Sequence, residues 1–188
     1  MGVDCYCMVR EGTIVVAEIQ TIAWLPEGAV RILDQTRLPG DEVYVECRDA
    51  EAVAEAIRRL RIRGAPALGV AAAMGLALGA LRLESTDVST FLRDLRGVAD
   101  MLGRTRPTAR NLFWGLERIL TVAEKHRDLA LPAVKQRLVE EAMTMHQEDL
   151  TCNRAMGEHG QTLIASGDTI LTHCNTGALA TVGYGTAL

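Results

Sequence analysis

The stretch from residue 65 to residue 81 constrains the fold of this chain more than any other feature. It carries no charged side chain, starts with Ala65-Pro66 and contains three glycines. A helix that is apolar on every side has to be buried, whereas a membrane span needs about 20 apolar residues. The short, alanine-rich stretch therefore predicts a buried helix from Pro66 to Leu83. The spacing of Gly75 and Gly79 resembles a membrane helix-dimer motif, which is the less favoured alternative.

The bulk composition is typical of a globular protein made of one domain, or of one domain and part of a second. The chain has 188 residues, 48% hydrophobic and 23% charged, with a formal net charge of −4. This charge argues against a nucleic-acid partner, which would need a basic surface. The five cysteines are odd in number and, like the four histidines, follow no metal or disulfide spacing. No signal-peptide pattern follows Met1 to Cys7. We therefore expect a reduced cytoplasmic protein without a membrane span or a structural metal.

The period of the hydrophobic pattern predicts an α+β fold. The first twelve residues are expected to be irregular, and β-prone stretches follow at Thr13 to Trp24, Ala29 to Leu33 and Glu42 to Cys47. These stretches favour a small antiparallel sheet. From Asp49 onward the pattern changes to that of helices. Asp49 is expected to cap the first helix, Ser89 the third, Pro107 to open the fourth, and a long fifth helix to run from Ala133 towards Ala165.

The last segment is expected to start a further unit. Asp168 to Thr172 is β-prone, Cys174 lies in a polar turn, and the small residues that follow could open a helix. A single strand and helix cannot bury their own apolar faces. The prediction is thus a sheet-containing region at residues 1–48, a helical domain at residues 49–165 and an incomplete α/β domain at residues 167–188.

Cys174 is the first candidate for chemistry. A thiol at a helix N-terminus is favoured as the thiolate, and Asn175, Thr176 and Gly177 offer polar and backbone groups to an anionic ligand. The alternative is a small buried side chain at the end of a strand. On residue chemistry alone the two interpretations are equally supported.

Two arginines that precede proline-started helices are candidates for anion binding. Arg63 stands before the Pro66 helix, and Arg106 before the Pro107 helix, so each could join helix amides in holding a phosphate. The alternatives are a solvated arginine run and an ordinary capped loop. Asp34 is most simply a turn aspartate.

Four ordered motifs give the chain a family resemblance. They are Leu33-Asp34-Gln35-Thr36-Arg37-Leu38-Pro39, Ile62-Arg63-Gly64-Ala65-Pro66-Ala67-Leu68-Gly69, Arg106-Pro107-Thr108-Ala109-Arg110-Asn111-Leu112 and Thr172-His173-Cys174-Asn175-Thr176-Gly177-Ala178-Leu179-Ala180. From about Thr21 onward the chain resembles the S-methyl-5-thioribose-1-phosphate isomerases of methionine salvage. Their superfamily also includes ribose-1,5-bisphosphate isomerase and regulatory subunits of a translation-initiation exchange factor.

The resemblance implies a homodimeric isomerase with a helical N-terminal domain and a Rossmann-like C-terminal domain, acting on a phosphorylated sugar without a metal or other cofactor. It implies substrate binding by Arg63, Gly64, Ala65 and Arg106. It also implies that Cys174 stabilises the transition state or moves a proton.

Two departures from the family pattern stand out. Arg110 occupies a position where the family commonly has an apolar residue. The family's catalytic aspartate, a substrate-binding glutamine and an Asn-Lys pair follow the Cys174 motif and are absent from these residues, so we expect the 188-residue chain alone to be inactive. Two alternatives remain open: a non-catalytic, nucleotide-sensing regulatory subunit, and ribose-1,5-bisphosphate isomerase.

Overall fold

The computed structural model describes residues 8–10, 13–15 and 19–187. Strands β1 (Met8–Arg10) and β2 (Thr13–Val15) pair in an antiparallel hairpin. The expectation that the first twelve residues are irregular is therefore wrong for β1, whose backbone hydrogen bonds are satisfied by β2. The rest of that expectation lies outside the described residues, as do Cys5 and Cys7.

A three-stranded antiparallel sheet follows and confirms the α+β class. It consists of β3 (Ile22–Leu25), β4 (Ala29–Leu33) and β5 (Tyr44–Cys47), in the order β3-β4-β5. Gly28, at φ 75°, makes the tight turn between the first two strands, and its N–H donates to the Leu25 carbonyl at 3.0 Å. The directly opposed pair Ile22 and Ile32 has no exposed surface because this face of the sheet covers the helices.

The helical part is organised around one buried helix, as the sequence predicts. Helix α1 (Ala50–Arg58) begins at the Asp49 cap, whose Oδ1 accepts a hydrogen bond from Ala52 N at 2.7 Å. Helix α2 (Ala65–Arg82) follows with a proline in its first turn. By length and composition α2 could cross a membrane, but 78% of it is buried inside the fold. It is the centre of the bundle.

Three further helices surround α2, and their starts differ from the predicted ones. They are α3 (Val88–Gly103), α4 (Arg110–Lys125) and α5 (Leu131–Gly160). Asp87 rather than Ser89 caps α3, because its carboxylate reaches Thr90 N at 2.9 Å. Helix α4 starts three residues after Pro107, since the Ala109 N–H closes a turn on the Arg106 carbonyl. Helix α5 starts two residues before the predicted Ala133, because Pro132 is accommodated in its first turn.

The expected strand from Asp168 to Thr172 is wrong for this structure. These residues adopt no regular structure, and Ile170 and Leu171 are 56% and 97% exposed. A strand exists only when a neighbour satisfies its backbone groups, and no described strand lies beside this segment. The expected helix after Cys174 is likewise reduced to a single 3-10 turn at Ala178–Ala180.

Helices α2 and α4 approach each other at two glycines. A Cβ built on Gly115 of α4 would lie 2.2 Å from the Gly69 carbonyl oxygen of α2. A Cβ on Gly69 would meet the Asn111 carbonyl oxygen at 3.0 Å. Only residues without side chains permit this backbone contact, which sets the first two turns of α4 against the second turn of α2.

Helix α5 is joined to the sheet by a partly buried histidine. Nε2 of His146 lies 3.0 Å from the Ile22 carbonyl oxygen of β3, to which it can donate a hydrogen bond. Burial lowers the pKa of His146 below its ordinary value, outweighing the hydrogen bond and the nearby Asp149, both of which raise it. The neutral ring is therefore the form that the fold favours.

We predict that Gly115→Ala lowers the free energy of unfolding by about 1–3 kcal/mol, because the new methyl group must push α2 and α4 apart. Gly97→Ala is the matched control: Gly97 is exposed on α3, and a Cβ there meets nothing within 4 Å. This control should stabilise the fold by about 0.5–1 kcal/mol, as alanine does in an open helix position. Urea titration of both variants measures the difference, and equal midpoints would refute the packing argument.

The lowered pKa of His146 predicts that stability is lost in mild acid. Its contribution is complete above the unfolded-state pKa of about 6.5 and declines as the pH falls below that value, because the unfolded chain then binds the proton more readily. His146→Gln keeps a donor for Ile22 but does not titrate, so its melting temperature should fall less between about pH 7.5 and 5.5. His159→Gln, at an exposed position, is the control. Parallel pH curves for wild type and His146→Gln would contradict this interpretation.

Candidate functional site

Arg63 and Gly64 occupy the sharp connection between α1 and α2. Helix α1 ends where Leu60 adopts φ 59°, and Ile62 then turns into the core with no exposed surface. Arg63 consequently points outward and is exposed. Gly64 has φ 102° and occupies the N-cap position of α2, with Ala65 exposed beside it. The connection places a guanidinium next to the positive end of the core helix.

The segment from Cys174 to Gly185 is a compact loop closed by its own hydrogen bonds. Gly177 pairs with Gly185, and Thr186 N donates to the Thr176 carbonyl at 2.8 Å. Thr181 has no exposed surface and donates to the Gly183 carbonyl at 2.7 Å. We call residues 174–185 the cysteine loop. Its buried second half gives it a defined position on the fold.

The cysteine loop is seated directly on the start of α2. A Cβ built on Gly64 would lie 2.3 Å from Ala180 Cα and 2.4 Å from its carbonyl oxygen. The two backbones therefore touch at this point, and no side chain fits between them. This contact brings the Arg63-Gly64 motif and the Cys174 motif together, although they are more than a hundred residues apart in the sequence.

Three further side chains hold the cysteine loop through its backbone. Thr21 Oγ1 donates to the Ala178 carbonyl at 3.0 Å, and Gln35 Nε2 donates to the Leu179 carbonyl at 2.8 Å. Asp149 of α5 accepts from Val182 N at 3.0 Å. Burial raises the pKa of Asp149, although the hydrogen bond from Val182 opposes the shift. The sheet, the loop after β4 and α5 thus all contribute anchors.

The sequence alone does not indicate these anchors. Gln35 lies in the motif at residues 33–39, where the chemistry of Asp34 is the more evident. The structure confirms Asp34 as a turn aspartate, because its Oδ1 accepts from Thr36 N at 3.0 Å and from Thr36 Oγ1 at 2.6 Å. Thr21 and Asp149 carry no local signal, since their partners are residues 178 and 182.

Arg106 lies in the turn between α3 and α4. Its Nη1 is buried and makes no hydrogen bond to any residue that the structure describes. A buried guanidinium nitrogen without an acceptor is energetically costly, and an anionic ligand would satisfy it. The α4 helix that follows packs against Gly69 of α2, so this turn and the Arg63 connection precede the starts of two touching helices.

Cys174 itself differs from the expected activated thiol. It is exposed, has φ 64° and lies four residues before the 3-10 turn, so no helix begins at it. The helix that was expected to begin beside Cys174 is therefore absent, and a single 3-10 turn sums too few peptide dipoles to replace it. The Gly177 N–H, expected to be free, is used by Asn175 Oδ1 at 3.0 Å. Thr176 and Gly177 are half-buried.

Other described groups do not form an alternative site of this kind. Cys47 is buried, and this burial raises the pKa of its thiol to about 11, which makes it unreactive at neutral pH. Within the described ranges, no three histidine, cysteine or acidic side chains are grouped to hold a metal ion. Two open surface grooves lie along α4 and α5, and neither is lined by a residue predicted for the site.

Comparison with known proteins supplies the family. A methylthioribose-1-phosphate isomerase of Geobacter sulfurreducens is 54% identical over 169 residues, which are 90% of this chain and 49% of that protein. The same-named protein of Syntrophotalea carbinolica is 53% identical over 162 residues, covering 86% of this chain and 47% of its own length. The chain thus spans about half the length of the curated relatives it matches.

Two solved structures share the fold. The 5-methylthioribose 1-phosphate isomerase of Pyrococcus horikoshii superposes with a TM-score of 0.82 at 39% identity, over 88% of this chain and 46% of that one. Translation initiation factor eIF-2B subunit delta of A. fulgidus gives 0.78 at 44% identity, over 89% and 48%. The sequence profile of the Initiation factor 2 subunit family matches residues 61–185. The chain therefore belongs to the Initiation factor 2 subunit family.

Proposed function

We propose that this chain supplies the N-terminal half of a methylthioribose-1-phosphate isomerase. The enzyme would interconvert S-methyl-5-thio-α-D-ribose 1-phosphate and S-methyl-5-thio-D-ribulose 1-phosphate in methionine salvage. The observation that carries the proposal is the seating of the cysteine loop on Gly64, which brings the Cys174 motif to the Arg63 motif. The identity of 54% to a protein of that name supports the same conclusion.

The arginines would bind the phosphate of the substrate. Arg63 is exposed beside the start of α2, and Arg106 has a buried nitrogen without an acceptor. Two guanidiniums on a phosphate dianion fix the position of the sugar attached to it. Gly64 and Ala65 would bind the substrate through their backbone at the start of α2, where a helix N-terminus favours a phosphate.

Cys174 would act at the reacting carbons. An aldose phosphorylated at C1 cannot open its ring freely, because the anomeric oxygen is blocked. Ring opening needs an acid at the ring oxygen, and the hydrogen shift between C1 and C2 needs a site that excludes water. We assign Cys174 to stabilising the transition state or transferring a proton at these carbons, with Asn175, Thr176 and Gly177 shaping the loop that carries it.

Residues 167–188 would begin a Rossmann-like domain, after a sheet region at 1–48 and a helical domain at 49–165. The exposure of Leu163, Ile170 and Leu171, at 85%, 56% and 97%, supports this proposal, because apolar side chains of this size need a covering surface. A sheet with further strands would pair the 168–172 segment and cover these side chains. We further propose a cytoplasmic homodimer, which sedimentation of the complete natural polypeptide can test.

A regulatory subunit of the same family is the second candidate. The eIF-2B subunit delta structure, at a TM-score of 0.78, favours it specifically. A subunit that only binds would not need a cysteine on a loop seated beside an arginine motif. Ribose-1,5-bisphosphate isomerase is the third candidate, and it would need further cations for a second phosphate.

The deciding experiment offers both sugar phosphates to the complete natural polypeptide that contains this sequence. We predict that NMR detects the ketose product from S-methyl-5-thioribose 1-phosphate, with little turnover of ribose 1,5-bisphosphate. Preference for the bisphosphate would select the third candidate. No turnover of either compound by a folded protein would reject an isomerase and favour the regulatory subunit.

Substitutions then test the assigned residues in the same polypeptide. We predict that Arg63→Ala and Cys174→Ser each lower kcat/KM at least tenfold, or by about 1.4 kcal/mol of transition-state stabilisation. Arg59→Ala is the matched control. Arg59 is an exposed residue close to Arg63 in the sequence, and its guanidinium pairs with Glu55 of α1 at 2.8 Å. A similar loss in Arg63→Ala and Arg59→Ala would indicate a general charge effect instead of a site.

A further inference from the structure

Gln35 is a buried side chain that joins two parts of the site. It is only 2% exposed. Its Nε2 donates to the Leu179 carbonyl at 2.8 Å, while its Oε1 accepts from Arg63 Nε at 3.4 Å. One amide therefore bridges the arginine of the first motif and the loop that carries Cys174.

The backbone of Gln35 fixes this bridge in place. Its N–H donates to the Arg61 carbonyl at 2.9 Å, two residues before Arg63. Asp34 beside it forms an ion pair with Arg61 at 3.4 Å, with its carboxylate mostly buried. The segment after β4 and the connection after α1 are thus tied together by backbone and side chain. Movement of Gln35 would displace both ends of the bridge.

The chemistry of the bridge requires an amide. The Leu179 carbonyl needs a hydrogen-bond donor, and the Arg63 guanidinium needs an acceptor. Only a side chain that carries a donor and an acceptor at the end of a chain as long as that of glutamine can bind both partners. A glutamate would keep the acceptor and oppose the carbonyl with a second oxygen. A methionine would keep the shape and lose both bonds.

Gln35 differs from the other anchors of the cysteine loop. Thr21 and Asp149 also hold the loop backbone, at Ala178 and Val182, but no hydrogen bond connects either of them to Arg63. Gln35 alone among these three side chains contacts both motifs. A substitution at Thr21 would therefore weaken the attachment of the cysteine loop but leave its hydrogen-bonded link to Arg63 in place.

We propose that Gln35 is a positioning residue that sets the guanidinium of Arg63 relative to the loop bearing Cys174. This inference rests on the proposed isomerase function. Gln35 acts through its two partners: it aligns the phosphate-binding group with the loop whose cysteine acts at C1 and C2. Loss of the bridge lets bound substrate shift with respect to the cysteine, and small displacements of reacting groups reduce rates steeply.

The test is a double-mutant cycle in the complete natural polypeptide. Gln35→Met is expected to lower kcat/KM at least about tenfold in the wild-type background and less than about threefold in the Arg63→Ala background. Gln20→Met, the same exchange at an exposed glutamine whose Oε1 accepts from Arg31 at 2.8 Å, is the matched control and should cost less than about threefold. An equal loss from Gln35→Met in both backgrounds, or a loss below threefold in the wild type, overturns the proposal.

A second variant and a second readout keep the result interpretable. Gln35→Glu preserves size and the acceptor for Arg63, and should also lose at least about tenfold, because its bond to Leu179 is gone. A kcat/KM equal to that of the wild type in this variant would overturn the proposed role of the bridge. Circular dichroism establishes that each variant is folded. If Gln35→Met does not fold, the cycle is run with Gln35→Glu.

Amide hydrogen exchange separates this proposal from the proposed function. If the wild-type polypeptide isomerises neither sugar phosphate, the proposed function is wrong. Gln35→Met should still accelerate amide hydrogen exchange several-fold in peptides covering residues 176–185. An unchanged exchange rate there overturns the positioning role even in an active enzyme.

Discussion

The contact between Gly64 and Ala180 is the constraint on which the site depends. Two backbone segments touch with no side chain between them, and Gly64 adopts φ 102°, which other residues rarely tolerate. Because Gly64 is also the N-cap of α2, the contact ties the central helix to the cysteine loop. Arg63, one residue earlier, is carried to the edge of that loop by the same geometry.

The small residues of α2 also help to position the second arginine of the site, Arg106. Its glycines and alanines let neighbouring backbones approach, and α4 contacts it where Gly69 and Gly115 face each other. The α4 start therefore lies beside the start of α2, and the turn that carries Arg106 immediately precedes it. A larger residue at either glycine would separate the two turns that hold the guanidiniums.

Much of this architecture could be predicted from local sequence. The burial of α2 follows from its lack of charge, and the Asp49 cap follows from its position before an amphipathic stretch. The prediction of Ser89 as the cap of α3 was wrong, because aspartate and serine both cap well and only the backbone geometry selects Asp87. Pro107 was predicted to open α4 but lies in the turn before it, because proline suits both positions.

Non-local contacts account for the rest. The propensity of residues 168–172 for a strand is real, but a strand requires a partner that these residues do not have in the described structure. The motifs of Arg63, Arg106 and Cys174 were visible, whereas Gln35, Thr21 and Asp149 became meaningful only through their partners in the cysteine loop, which are at least 33 residues away. The helix expected at Cys174 did not form, so reactivity there cannot be ascribed to a dipole.

The most direct test of the central claim is a crystal structure of the complete natural polypeptide with the ketose phosphate product bound. The account predicts a phosphate within hydrogen-bond distance of both the Arg63 guanidinium and Arg106 Nη1, with the Cys174 sulfur facing C1 and C2 of the sugar. A product bound elsewhere, with Arg106 Nη1 still buried and unsatisfied, would contradict it.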